Sequence, residues 1–126
     1  MSGARPASER FGRERRIRKR AEFLRLYRLG SKVGTRSLVV YALPASASFP
    51  RLGITVSSKV GGAVVRNRAK RLIREAYRRS PSVRESGLDL VINGRQAIAR
   101  SGYRQLCEEL VQAVRRLVKQ APGRGE

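Results

Sequence analysis

VVRNRAKRLIREAYRR, residues 64–79, decides how this chain is organised. Advancing about 100° per residue from Val65, Ala69, Leu72, Ile73 and Ala76 fall on one stripe with it. Asn67, Lys70, Arg71, Arg74 and Arg78 fall on the other side, with Arg66 and Arg68 at the edges of the stripe. The spacing predicts an amphipathic helix with an apolar core face and a basic face. Gly61 and Gly62 precede it, so the backbone can turn sharply into the helix. Glu75 is the only acid in the stretch, so i,i+4 pairing cannot neutralise the basic face. Like charges at that spacing cost about 0.2–0.5 kcal/mol each, a cost that is tolerated when the face meets an anion.

Strand-like runs flank this helix. RLGITVSS (51–58) alternates Leu52, Ile54 and Val56 with Gly53, Thr55 and Ser57, the period of a half-buried strand. RSLVVYAL (36–43) is β-branched and aromatic and stops at Pro44, and ASASFP (45–50) is turn-like. These two runs are expected to pair antiparallel. On the other side, SPSVRESG (80–87) reads as a loop and LDLVINGR (88–95) as a further strand. Residues 16–29 should form a short helix with Phe23, Leu24 and Tyr27 on one side, stopped by Gly30. QAIARSG (96–102) is a connection whose Ser101 is placed to cap a last helix. That helix carries Tyr103, Leu106, Leu110, Val114, Leu117 and Val118 at helical spacing, and Cys107 on it is expected to be a buried thiol.

Residues 1–15 are rich in Gly, Pro, Ser and Arg without periodicity and read as a disordered basic arm. Residues 120–126 read as a disordered tail, which leaves one domain over 16–119. The order helix, strands, helix, strand, helix predicts an α+β domain around one small mixed sheet.

Charge narrows the partner. Twenty-nine Lys and Arg residues face nine Asp and Glu among 126, a formal net charge of +20. A compact chain so charged repels itself unless an anion screens it. The basic residues run the whole length, RERRIRKR (13–20) included, which favours nucleic acid over a membrane surface. No apolar run approaches the length of a membrane span. With a single cysteine there is no internal disulfide, and the N-terminal stretch lacks the apolar core of a secretory signal, so the cytoplasm is the expected compartment.

The acid inventory argues against self-contained catalysis. There is no histidine, Asp89 is the only aspartate, and the adjacent Glu108 and Glu109 point apart on a helix. A metal-dependent nuclease needs convergent carboxylates and an acid–base nuclease usually needs histidine. No catalytic residue, metal ligand or cofactor is therefore assigned to this chain. Catalytic groups for phosphodiester chemistry would have to come from a partner.

The segment SSKVGGAVVRNRAKRLIREAYR (57–78) resembles the RNR-motif region of the bacterial ribonuclease P protein family. The Arg-Asn-Arg of the motif falls on Arg66, Asn67 and Arg68, followed by Lys70, Arg71 and Arg74. RAEFLRLYRLGSKVGTRSLVVY (20–41) is similar in spacing to the family's first helix and following strand, and the likeness covers roughly residues 15–118. The resemblance implies an RNA-binding subunit of ribonuclease P. It would assist a catalytic RNA in endonucleolytic removal of the 5′ leader from precursor tRNA, one protein per RNA, with the catalytic Mg²⁺ held in the RNA. It implies that Lys59, Arg66, Asn67, Arg68, Lys70, Arg71 and Arg74 face the catalytic RNA. It also implies a cleft for the single-stranded leader lined by Phe23, Tyr27 and Tyr41, with Arg16 and Arg36 near its edge. A left-handed βαβ crossover around the RNR helix is a further implication, against the usual right-handed rule.

Stacking and phosphate charge suit leaders of varied sequence. The spacing of Phe23 and Tyr27 is equally that of a core face, and Tyr41 within LVVYAL could point either way, so the residues leave both readings open. Three departures from the family pattern stand out. Ser58 replaces the first of a usual Lys pair, leaving Lys59; Gly62 stands where a polar residue is common; and VINGR (91–95) replaces a more apolar strand end, which leaves the role of Arg95 open. Two other classes compete: a structural ribosomal or general single-stranded RNA-binding protein, and a self-contained nuclease, which the acid inventory disfavours.

Overall fold

The computed structural model describes residues 15–46 and 50–123. In chain order it has α1 (Arg20–Leu29), β1 (Ser31–Gly34), β2 (Leu38–Pro44), β3 (Leu52–Val56) and α2 (Ala63–Arg78). A single turn, α3 (Pro81–Arg84), then leads to β4 (Leu88–Gly94), a 3-10 segment (Gln96–Arg100) and α4 (Tyr103–Gly123). The strands form one mixed sheet in the order β1-β2-β4-β3, so the α+β layout is the observed one. The expected arm over residues 1–14 and residues 124–126 of the expected tail lie outside the described residues.

The pairing of the strands differs from expectation. β2 is antiparallel to both β1 and β4, and β3 runs parallel to β4 rather than against β2. The reason lies in β4, whose first five residues are all buried. A strand buried on both faces belongs in the middle of a sheet. β3, with Gly53 and Thr55 on one face, goes to the edge, and α2 provides the crossover that a parallel pair requires. β1 was not foreseen: in SKVG only Val33 is a large apolar residue, opposite Val40, too little for an alternation signal.

The two sheet faces carry separate clusters. Leu38, Val40, Ala42, Leu52, Leu90 and Ile92 meet α2 and α4 in the main core. From α2 come Ala69, Ile73, Ala76 and Tyr77, while Val65 and Leu72 are half-buried. From α4 come Leu106, Leu110, Ala113, Val114 and Leu117, but Tyr103 and Val118 at the ends of the expected stripe are exposed, and Cys107 is only half-buried. Residues 80–87 are not wholly loop, because Val83 on α3 plugs this core at 1% exposure. α4 also continues through residues 120–123, past the expected boundary.

Ser101 does not cap α4. Its hydroxyl donates to the Ala97 carbonyl at 3.0 Å and meets the Ser37 hydroxyl in the interior. Ser37 and Thr35 in the β1–β2 turn are held in turn by Glu109 of α4, which accepts from Thr35 Oγ1 at 2.6 Å and from the Ser37 amide at 2.8 Å.

On the opposite face α1 lies across the sheet, with Ile17, Leu26 and Val91 buried and Phe23, Tyr27, Tyr41 and Leu43 packed around them. Leu24 is 42% exposed and Leu26 takes the inward place assigned to it, because the helix is rotated to seat Phe23 over Gly53. The helix begins at Arg20, not residue 16. Residues before it are extended along β3: Arg16 bridges Leu52, and the Ile17 amide donates to the Leu52 carbonyl at 2.9 Å. The far side of α1 is tied down by Glu22, whose carboxylate takes Arg51 at 2.9 Å, and Arg51 also reaches the fully buried Asp89 at 3.3 Å.

Candidate nucleic-acid interface

α2 enters from Gly62, with no side-chain cap and no acid in its first turn, so its N-terminal amides add to the positive field of its side chains. Asn67, Arg68, Arg71 and Arg74 are exposed and Arg66 and Lys70 half-buried, so Arg68 stands farther out, and Lys70 farther in, than the wheel placed them. Lys59 is exposed in the preceding turn, whose backbone is braced by Gln96 donating to the Lys59 carbonyl at 3.2 Å. Glu75 is consumed at the far end of the helix by Arg78 at 2.6 Å and Arg79 at 3.1 Å. The hydrogen bond from Arg78, above all, holds the Glu75 carboxyl below the ordinary value. Among the described residues this leaves Arg66, Arg68, Lys70, Arg71 and Arg74 with no carboxylate in salt-bridge contact.

Arg16 does not join the aromatic residues it was grouped with. It shares with Arg18 and Arg74 a pocket of about 150 Å³ on the open edge of β3, floored by Ile17, Leu52 and Ile54. Arg36 also stands apart, exposed in the β1–β2 turn beyond the first residue of β2. Arg95 points back to the same turn, donating to the Thr35 carbonyl at 2.9 Å, which gives it a bracing role.

The aromatic trio does come together. The Phe23 and Tyr27 ring centroids are 6.4 Å apart, and Tyr41 meets Tyr27 edge-on at 4.8 Å. All three are half-buried: they pack on Ile17, Leu26 and Val91 and still present surface to solvent. The choice between core and cleft therefore resolves as both, a wall from α1 and a floor from the sheet. The register extends this floor. Lys32, Tyr41, Val91 and Gly53 form one row across the strands, and Gly34, Val39, Asn93 and Thr55 the next. Lys32 Nζ lies 5.8 Å from the Tyr41 ring centroid, a cation–π contact. Asn93 Oδ1 accepts from the Tyr27 hydroxyl at 3.2 Å and from Thr55 Oγ1 at 2.6 Å.

Lys32, Thr55 and Asn93 were not picked out in advance as site residues. Asn93 was visible as a polar interruption of an apolar strand, but its neighbours come from three other elements. Lys32 sits on the strand that gave no signal.

No three His, Cys, Asp or Glu side chains cluster as a metal site among the described residues. Asp89 is held by Arg51, and Glu109 by the β1–β2 turn. No helix among the described residues is long and apolar enough to cross a membrane.

A family model described as Ribonuclease P matches residues 11–118. The ribonuclease P protein component of Brevibacillus brevis is 40% identical over 114 residues, covering 87% of this chain and 90% of that protein. That of Paramagnetospirillum magneticum is 41% identical over 108 residues, 81% of each chain. Among solved structures, the RNase P protein from Thermotoga maritima matches with a TM-score of 0.71 at 31% identity, over 80% of this chain and 96% of that one. The Staphylococcus aureus protein matches at 0.68 and 34% identity, over 80% and 93%. With the likeness running from before α1 to the last turns of α4, in sequence and in fold, the chain belongs to the ribonuclease P protein family.

Proposed function

We propose that this chain is the RNA-binding protein subunit of a ribonuclease P holoenzyme and handles two RNA segments on opposite sides of its sheet. The exposed face of α2 and the turn at Lys59 bind the catalytic RNA, and the cleft under α1 holds the single-stranded 5′ leader of precursor tRNA. The observation that carries this reading is the chemical contrast between the sides. The exposed face of α2 presents cations and no aromatic ring, which suits phosphates of a folded RNA. The α1 side presents Phe23, Tyr27 and Tyr41 with one lysine close by, which suits unpaired bases.

The catalytic Mg²⁺ belongs to the RNA in this reading, and the holoenzyme forms in the cytoplasm with one protein per RNA. Family membership favours it over a ribosomal or general single-strand binder. Cleavage of precursor tRNA at low Mg²⁺ tests it, with catalytic RNA alone, protein alone and both together. Cleavage should need the RNA and be stimulated strongly by the protein. Cleavage by protein alone, or no stimulation, contradicts the proposal.

A further inference from the structure

The cleft floor holds one group that the fold orients but leaves unused. Asn93 is half-buried on β4, and both lone-pair directions of its Oδ1 are taken by the Tyr27 and Thr55 hydroxyls. The side-chain amide is therefore pinned from two elements, α1 and β3. Its Nδ2 keeps two N–H donors, which meet no acceptor among the described residues. Nor is Nδ2 among the buried side-chain nitrogens that lack a partner, so its donors face solvent. Beside it stand the Tyr27 and Tyr41 rings, with Lys32 over Tyr41.

A fixed donor with no free acceptor, next to aromatic surface, fits a flat ligand with a carbonyl edge. A lone phosphate would need several converging cations, whereas Lys32 lies over the Tyr41 ring and the Arg95 guanidinium is engaged by the Thr35 carbonyl. An unpaired base offers both the ring and the edge.

We propose that Asn93, with Tyr27 and Tyr41, forms a nucleobase subsite that reads one leader base by donating from Nδ2 to the carbonyl at C4 of uracil or C6 of guanine, where cytosine and adenine carry an amino group. It favours uracil or guanine over cytosine and adenine. This rests on the leader-binding reading of the cleft. Because Oδ1 is committed, Asn93 cannot make the paired donor–acceptor contact with the N6 and N7 edge of adenine. An exocyclic amino group placed against Nδ2 sets donor against donor.

The test is competitive cleavage by the holoenzyme of a precursor tRNA pool varied one leader position at a time, read as relative kcat/KM. At one position the wild type should favour uracil and guanine by about three- to tenfold, the discrimination one net hydrogen bond supplies. Asn93→Ala should flatten that ratio. Asn93→Asp keeps the shape but turns the free donor into an acceptor, so the preference should reverse toward adenine and cytosine. Ratios within one pool cancel the uniform loss that the added negative charge causes. Thr55→Val, which removes one pin, should weaken the preference without reversing it.

Equal ratios in wild type and Asn93→Ala, or no base preference at any position, overturn the subsite. So does a wild-type preference for adenine or cytosine. Should Asn93→Ala fail to fold, an unreversed ratio in Asn93→Asp overturns it alone. If leader-bearing substrate still outcompetes leaderless substrate in such a result, the leader reading stands. If the wild-type protein confers no leader advantage at all, both fall.

Discussion

A Cβ at Gly53 would lie 2.9 Å from two carbons of the Phe23 ring, so glycine here is what lets α1 lower its aromatic ring onto the sheet. The contact is with a half-buried side chain, and a methyl group would push the ring and its helix outward. Gly53→Ala should cost about 1–3 kcal/mol by overpacking, read as a shift in denaturant midpoint, and should weaken leader binding. An unchanged midpoint would show that the ring has room to move. The same contact marks where residue-level reading ran out. Phe23, Tyr27 and Tyr41 became candidate cleft residues through the family resemblance, while their type and spacing left core and cleft open. The exchange of Leu24 for Leu26 was not, because the rotation of α1 is set by a glycine about thirty positions away, on β3. Asn93 is a similar case: its orientation depends on hydroxyls from α1 and β3 that no local pattern joins to it.

The elements were legible in proportion to their periodicity. The stripe and basic face of α2 were readable, apart from the buried Tyr77, the half-buried Lys70 and the exposed Arg68, because sixteen residues sample the helical period several times over. β1, with four residues, samples its period too briefly, and the β2–β3 pairing was misjudged because adjacency in sequence gives no sign that β4, buried on both faces, inserts between them.

On α2, each phosphate contact releases counterions, so Arg71→Ala should weaken catalytic-RNA binding and lower the slope of log affinity against log salt by roughly one. Titration at several salt concentrations reads this directly, and an unchanged slope would mean that Arg71 touches no phosphate.

On α4, Glu109 anchors the β1–β2 turn. Burial works against its charge, but hydrogen bonds from Thr35, Ser37 and Gln105 prevail and hold its carboxyl below the ordinary value. A depressed folded value means stability that is present above the unfolded carboxylate range and lost as pH falls through the folded value. Acid titration of stability should therefore show a loss below the ordinary carboxylate range, and Glu109→Gln should blunt it. An identical acid profile in that variant would assign the loss to other carboxylates, Glu75 included.

At the scale of the molecule, the net charge of +20 was already enough to point to a polyanion partner, and the absence of histidine and scarcity of aspartate to raise the expectation of catalytic groups outside the chain. The class of fold followed from element order. What the sequence could not display was the placement of the two surfaces. That depends on which sheet face each helix covers, α2 with α4 on one and α1 on the other. The fate of Arg16 follows from the same placement, since the extended segment before α1 runs along β3 and carries it toward Arg74 instead of the aromatic trio.

The central claim is that these two sides serve different RNA segments, and it is tested by the leader advantage of the assembled holoenzyme. That advantage is the affinity for leader-bearing precursor over mature tRNA, measured with protein saturating the catalytic RNA, for Phe23→Ala against Arg71→Ala. Phe23→Ala should lose most of the advantage while its affinity for catalytic RNA holds, and Arg71→Ala should keep the advantage once saturation compensates for weaker assembly. Both variants losing the advantage equally, or Phe23→Ala retaining it in full, would contradict a division of labour across the sheet.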